Sequence, residues 1–136
     1  MKADRATALV YKENKILLIH RIKPGMDYYV LPGGKVEEGE LGEDTVLREL
    51  KEETSIEGKL IKKVHTLIDE EGRTHHLYLC EYISGTPALA PDSPEAIDMK
   101  ETNQYIPVWM DISEIPKISI WPEATTAFLE NYFKSL

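Results

Sequence analysis

Residues 34–56 read GKVEEGELGEDTVLRELKEETSI, a glycine turn that runs into a helical pattern carrying Glu49, Glu52 and Glu53. Spacings of three and four residues place these three carboxylates on one helical face. Like charges stacked in this way weaken an isolated helix, so the chain must supply a compensating partner. A hard divalent cation is the simplest one, because Mg²⁺ takes carboxylate oxygens together with substrate phosphates. On the same helix Val46, Leu47, Leu50 and Thr54 share the neighbouring sector. The helix is therefore expected to pack on a sheet through that sector and to hold its acids at the edge of a cleft. Arg48 stands four residues before Glu52, within reach of a charge-assisted hydrogen bond.

The rest of the chain supplies β-rich runs on either side of this helix. Ala6 to Tyr11 and Ile16 to Arg21 flank a Glu-Asn turn and predict a hairpin. Ile16 to Ile19 is apolar without alternation, which predicts a strand covered on both faces. Tyr28 to Leu31 reads as a short strand stopped by Pro32-Gly33-Gly34, and the helix is expected over Leu41 to Thr54. Lys59 to Ile68 and Thr74 to Ile83 read as a second hairpin, and Ser84 to Asp92 as loop. Tyr105 to Met110 reads as a strand whose Pro107 favours a sheet edge or bulge. Asp111 to Pro116 suits a turn or short helix, and Pro122 to Phe133 a final helix with Pro122 near its first turn.

Composition excludes several classes. A chain of 136 residues suits one domain with a real core. No apolar run has membrane-spanning length, and the N-terminal stretch has no signal-peptide core. Cys80 is alone, so no disulfide forms within the chain, and a cytoplasmic, reducing setting is expected. The net charge is −8, and residues 35–57 hold nine acids against three bases. Such a surface repels a nucleic-acid backbone and argues against non-specific duplex binding. A phosphorylated small molecule that arrives with its own cation is not excluded.

The spacing of Gly34, Glu40, Arg48, Glu49, Leu50, Glu52, Glu53 and Ile56 resembles the signature box of the Nudix hydrolase family. Leu31-Pro32-Gly33-Gly34 is similar to the usual entry to that box, and only Ser55 departs, at a position where the family usually has Gly. The resemblance implies an α+β fold, an αβα sandwich with a mixed β-sheet, formed by residues 1–136 as a single domain. It also implies Mg²⁺-dependent hydrolysis, with Mn²⁺ as an alternative ion, of a nucleoside diphosphate linked to another moiety. Water would attack phosphorus.

By the same resemblance the metal ligands are the carbonyl of Gly33 and the carboxylates of Glu49, Glu52 and Glu53, with Glu52 and Glu53 the strongest candidates. Arg48 is expected to orient a carboxylate and Glu40 to brace the loop before the helix. The catalytic set is then Arg48, Glu49, Glu52 and Glu53. The base for the attacking water is one of Glu49, Glu52 and Glu53, or else Glu95, Asp98 or Glu101 from a later loop that could also add a ligand, and the sequence does not choose among them. Lys35 could meet a phosphate as a point charge. Arg21, at a strand end, suits either a distal phosphate or a surface salt bridge. Trp121 is the better candidate for a pocket wall, and Tyr29 for the core. His20, His65, His75 and His76 lack paired metal spacing and read as structural or exposed, and Cys80 as a buried apolar residue.

Two competing readings come from other classes. A Nudix-fold sensor would hold a nucleotide without cleaving it, but such domains tend to lose box carboxylates. A Ca²⁺-binding module would need an EF-hand loop, which is missing from the sequence. Dimers are common in the family, so a homodimer is the assembly to test.

Overall fold

A computed structural model describes residues 3–89, 95–96 and 102–136. Among these described residues eight strands run β1 (Arg5–Leu9), β2 (Tyr11–Lys12), β3 (Lys15–Lys23), β4 (Met26–Val30), β5 (Gly33–Lys35), β6 (Glu57–Ile68), β7 (Thr74–Ser84) and β8 (Gln104–Asp111). Helix α1 (Gly42–Thr54) lies between β5 and β6, and helix α2 (Ala124–Lys134) follows a short 3-10 helix at Ile112–Lys117. Among the described residues no helix is long and apolar enough to cross a membrane.

The strands form two sheets. The first is mixed, in the order β5-β1-β7-β6, with β1 parallel to β7 and the other pairs antiparallel. The second is antiparallel and is built around β3, which pairs with β2 and β4 and also with β8. Alternation along the strands sends side chains to two cores. Ala6, Ala8, Leu17, Tyr78 and Cys80 meet Val46 and Leu50 of α1. Leu9, Ile16, Leu18 and Leu77 meet Ile115, Ile120 and Leu129 on the other side. Leu17 therefore points to one core while Ile16 and Leu18 point to the other, which explains the unbroken apolar run. The result is the expected helix–sheet–helix layering with a mixed sheet.

The first predicted hairpin is shorter than its sequence suggests. Glu13 and Asn14 both have positive φ and form its turn, but only Tyr11 and Lys12 pair with β3. Arg5–Leu9 leaves for the mixed sheet, where β7 and β5 offer it partners on both sides. Gly33–Lys35, read as the end of a strand, is itself a strand against β1. The second hairpin forms as expected, with a turn at Asp69–Arg73. Pro107 sits opposite Ile19 on β8. Its missing N–H costs no bond to a further strand, since β8 pairs with β3 alone among the described residues.

Candidate active site

The glycine turn and the acidic helix meet because α1 packs on β1 and β5 through Val46 and Leu50. Gly33 is buried, and a Cβ there would lie 2.4 Å from the Ala6 carbonyl oxygen. A Cβ on Gly34 would lie 2.4 Å from Glu49 Cδ. Both glycines are thus required by close approach, one to strand β1 and the other to a carboxylate. The Gly33 N–H donates to Glu53 Oε1 at 2.8 Å, and Arg5 Nη2 donates to the Gly33 carbonyl at 3.4 Å.

Carboxylate oxygens of Glu49, Glu53 and Glu95 all lie within 4.8 Å of one another. Glu53 is buried, and burial, followed by repulsion from Glu49, pushes its carboxyl well above the ordinary range despite the Gly33 hydrogen bond. Burial also raises Glu49, against the pull of Arg48. Glu95 Oε2 is buried with no hydrogen-bond partner among the described residues. Three carboxylates, two of them held above their usual pKa and one with an orphaned oxygen, fit a hard divalent cation, which would satisfy all three at once.

Arg48 ties the surrounding acids together. Its Nε and Nη2 donate to both oxygens of Glu40, at 3.0 and 3.2 Å, and its Nη1 to Glu49 at 2.9 Å. That fork holds the Glu40 carboxyl down to about 2, with Thr45 and the Glu37 backbone helping. The orienting role expected for Arg48 and the bracing role expected for Glu40 thus share one geometry. Glu52 is placed differently from its two neighbours. Its Oε2 lies 3.4 Å from Arg48 Nη1, about a third of its side chain is exposed, and it stands outside the group of three. The helix ends at Ser55, which takes the left-handed conformation expected at this position, with φ of 62°.

A cleft of about 330 Å³ opens beside the carboxylates, lined by Arg5, Arg21, Lys35, Tyr105 and Trp121 among others. The structure therefore brings Arg21, Lys35 and Trp121, all read from the sequence, to one place. Arg21 is no surface residue. It is 7% exposed, stacks over the Tyr105 ring at 3.6 Å, and donates to Asn103 Oδ1 and the Gln104 carbonyl. Trp121 meets the buried His75 edge-on at 5.6 Å, and His75 in turn shares a 2.8 Å hydrogen bond with Asp69. Burial pushes His75 below its usual pKa, against that hydrogen bond. Tyr29 stacks on His20 and His65 on Phe128, both away from the cleft lining. Cys80 is buried and its thiol is raised to about 11, which makes it inert.

Sequence reasoning missed Arg5 and the Asp69–His75 pair. Arg5 shares a strand face with Thr7, and its only signal is a cation at the start of an otherwise apolar strand. Of the three acids that the sequence does not rank, Glu95 lies among the described residues and converges with Glu49 and Glu53. Asp98 and Glu101 lie outside the described residues.

These parts define a class: an αβα domain whose glycine turn and acidic helix line a cleft in which three carboxylates face three cations. Residues 1–131 match the NUDIX domain, and the chain belongs to the Nudix family. It is 34% identical to an ADP-ribose pyrophosphatase of Methanocaldococcus jannaschii over 121 residues, which is 82% of this chain and 63% of that protein. It is 30% identical to an oxidized purine nucleoside triphosphate hydrolase of Mus musculus over 67% of this chain and 54% of that one. The chain thus spans less than two thirds of the length of these curated relatives. The solution structure of the E. coli ORF135 protein superposes with a TM-score of 0.70 at 26% identity, covering 98% of this chain and 91% of that one.

Proposed function

We propose that this protein hydrolyses a phosphoanhydride bond in a nucleoside diphosphate linked to another moiety, with Mg²⁺ held by Glu49, Glu53 and Glu95. The observation that carries the reading is the convergence of those three carboxylates, from α1 and from a later segment, in a cleft that also holds Arg5, Arg21 and Lys35. The bound ion would supply Lewis-acid polarisation of a phosphoryl oxygen and a more acidic water. The chain's own residues do the rest. Arg48 holds Glu49 in place, and the Gly33 N–H fixes Glu53. Lys35 and Arg21 face the diphosphate as cations, and Trp121 forms the wall against which the organic moiety rests. Glu95 would bring the third carboxylate to the ion, beside Glu49 and Glu53. The single buried cysteine agrees with a cytoplasmic setting.

A phosphate-release screen with Mg²⁺ and with Mn²⁺ tests this. The panel should include ADP-ribose, oxidised purine nucleoside triphosphates, sugar nucleotides and dinucleoside polyphosphates, with Glu53→Gln as the blank. Release from at least one class by the wild type and none by the blank is expected. Tight Mg²⁺-dependent binding without release across the whole panel would instead establish a sensor.

A further inference from the structure

We infer that Ser55 is a positioning residue for Glu95, anchoring to the end of α1 the segment that leads to this third carboxylate. The inference rests on the role given to Glu95 in the proposed function.

Ser55 is an awkward choice at its position. The left-handed conformation is disfavoured for a residue with a Cβ, and glycine would occupy it without strain. What serine adds is a hydroxyl, and the hydroxyl is used: Ser55 Oγ donates to the Ala88 carbonyl at 2.6 Å. The Ala88 N–H donates in turn to the Thr54 carbonyl at 2.9 Å. Both backbone groups of Ala88 are therefore held by consecutive residues at the helix end. The approach to this anchor is also fitted to the helix. Gly85 has φ of 111°, a Cβ on it would lie 2.5 Å from the Ser55 carbonyl oxygen, and its own carbonyl accepts from the Tyr82 hydroxyl at 2.8 Å.

One helix thus serves the carboxylate group twice. Its middle supplies Glu49 and Glu53, and its C-terminal end holds the chain that brings in Glu95. Ala88 stands seven residues before Glu95, whereas Ser84, the last residue of β7, stands eleven before it. Ala88 is thus a fixed point of the backbone nearer in sequence to the carboxylate than the end of β7.

Three substitutions separate the hydroxyl from the backbone. Ser55→Gly keeps the left-handed conformation and deletes the donor. Ser55→Ala deletes the donor and keeps the strain. Ser55→Asn tolerates the conformation and restores a donor. Each is compared with the wild type for kcat, substrate KM, Mg²⁺ half-saturation and melting temperature. Ser55→Gly should melt at or above the wild-type temperature yet lose roughly threefold to tenfold in kcat, the range of one hydrogen bond. Its Mg²⁺ half-saturation should rise and its substrate KM stay unchanged. Ser55→Asn should recover most of the rate. In a Glu95→Gln background Ser55→Gly should slow the enzyme no further. A wild-type rate in Ser55→Gly, or losses that multiply with Glu95→Gln, overturns the anchor while leaving Glu95 in place. A wild-type rate in Glu95→Gln removes the role of Glu95 itself, and the anchor falls with it.

Discussion

The backbone N–H of Gly33 donates to Glu53 Oε1 at 2.8 Å, joining the glycine turn to the acidic face of α1 across twenty residues of sequence. Glu53 is buried and crowded by Glu49, so this one donor cannot compensate its charge, and its carboxyl stays well above the ordinary range. A cation is the partner that would. Glu53→Gln keeps an oxygen for the Gly33 N–H and removes the charge. Turnover should fall by about 100-fold or more, while the melting temperature holds or rises. Glu52 is outside the group of three and tied to Arg48, so Glu52→Gln should fall by about tenfold or less. Steady-state kinetics at saturating Mg²⁺ checks the order, and equal losses would place Glu52 inside the metal site.

The same burial predicts a pH dependence of stability with a definite sign. In the folded chain Glu53 keeps its proton above the model-compound value of 4.5, where the unfolded chain has lost it. The folded state then binds more protons, so this residue's contribution weakens as pH rises above that value. His75, held below its usual pKa by burial, acts in the opposite direction below 6.5. Comparison with Glu53→Gln isolates the carboxylate. In the presence of a chelator, the variant should gain stability relative to the wild type as pH rises above 4.5. Added Mg²⁺ should close the gap by stabilising the wild type. Urea midpoints across that range measure it, and a constant gap would mean that Glu53 is ionised in the folded protein without metal.

Gly34 offers a steric test of the site without touching a charge. A Cβ there would meet Glu49 Cδ at 2.4 Å, so Gly34→Ala must displace that carboxylate. Glu49 is also gripped by Arg48, which limits where it can go. A cost of about 1–3 kcal/mol in stability is expected, typical of overpacking, with a larger proportional loss in kcat than in melting temperature. Mutant kinetics alongside thermal melts decide between a local shift and general unfolding.

Why the acids were readable and their third partner was not has a physical basis. Glu49 and Glu53 lie on one helix, and helical periodicity converts sequence spacing directly into a shared face. The apolar run Ile16–Ile19 likewise announced a strand with two covered faces, because Leu17 enters one core and Ile16 and Leu18 the other. Glu95 comes from a stretch of sequence with no periodicity, so its convergence with the helix acids shows only in the folded chain. The split of the first predicted hairpin was hidden for a related reason. Local turn chemistry at Glu13-Asn14 sets the pairing of Tyr11 and Lys12, but β7, more than sixty residues away, claims Arg5–Leu9. Arg5 was invisible as a site residue because its place depends on that distant parallel pairing and on the Gly33 carbonyl it reaches.

The Asp69–His75 pair supports Trp121 from beneath, and its removal should separate substrate binding from chemistry. Both side chains are 2% exposed. Burial raises the Asp69 carboxyl, but hydrogen bonds from His75 and from the backbone of Arg73 and Glu71 outweigh it and hold the group at about 2. The pair thus fixes the turn between β6 and β7 and presents the His75 ring to the Trp121 edge. Asp69→Ala leaves those donors without a partner, at about 1–3 kcal/mol of stability. Trp121 should then be less firmly seated, so KM for the preferred substrate should rise while kcat stays within about threefold, as expected when uniform binding is lost. Trp121→Ala should raise KM further with the same small effect on kcat. The double variant should bind no worse than Trp121→Ala alone, because the pair acts on substrate only through that ring. A fall in kcat equal to that of Glu53→Gln in either single variant would instead place this corner of the cleft in the chemical step.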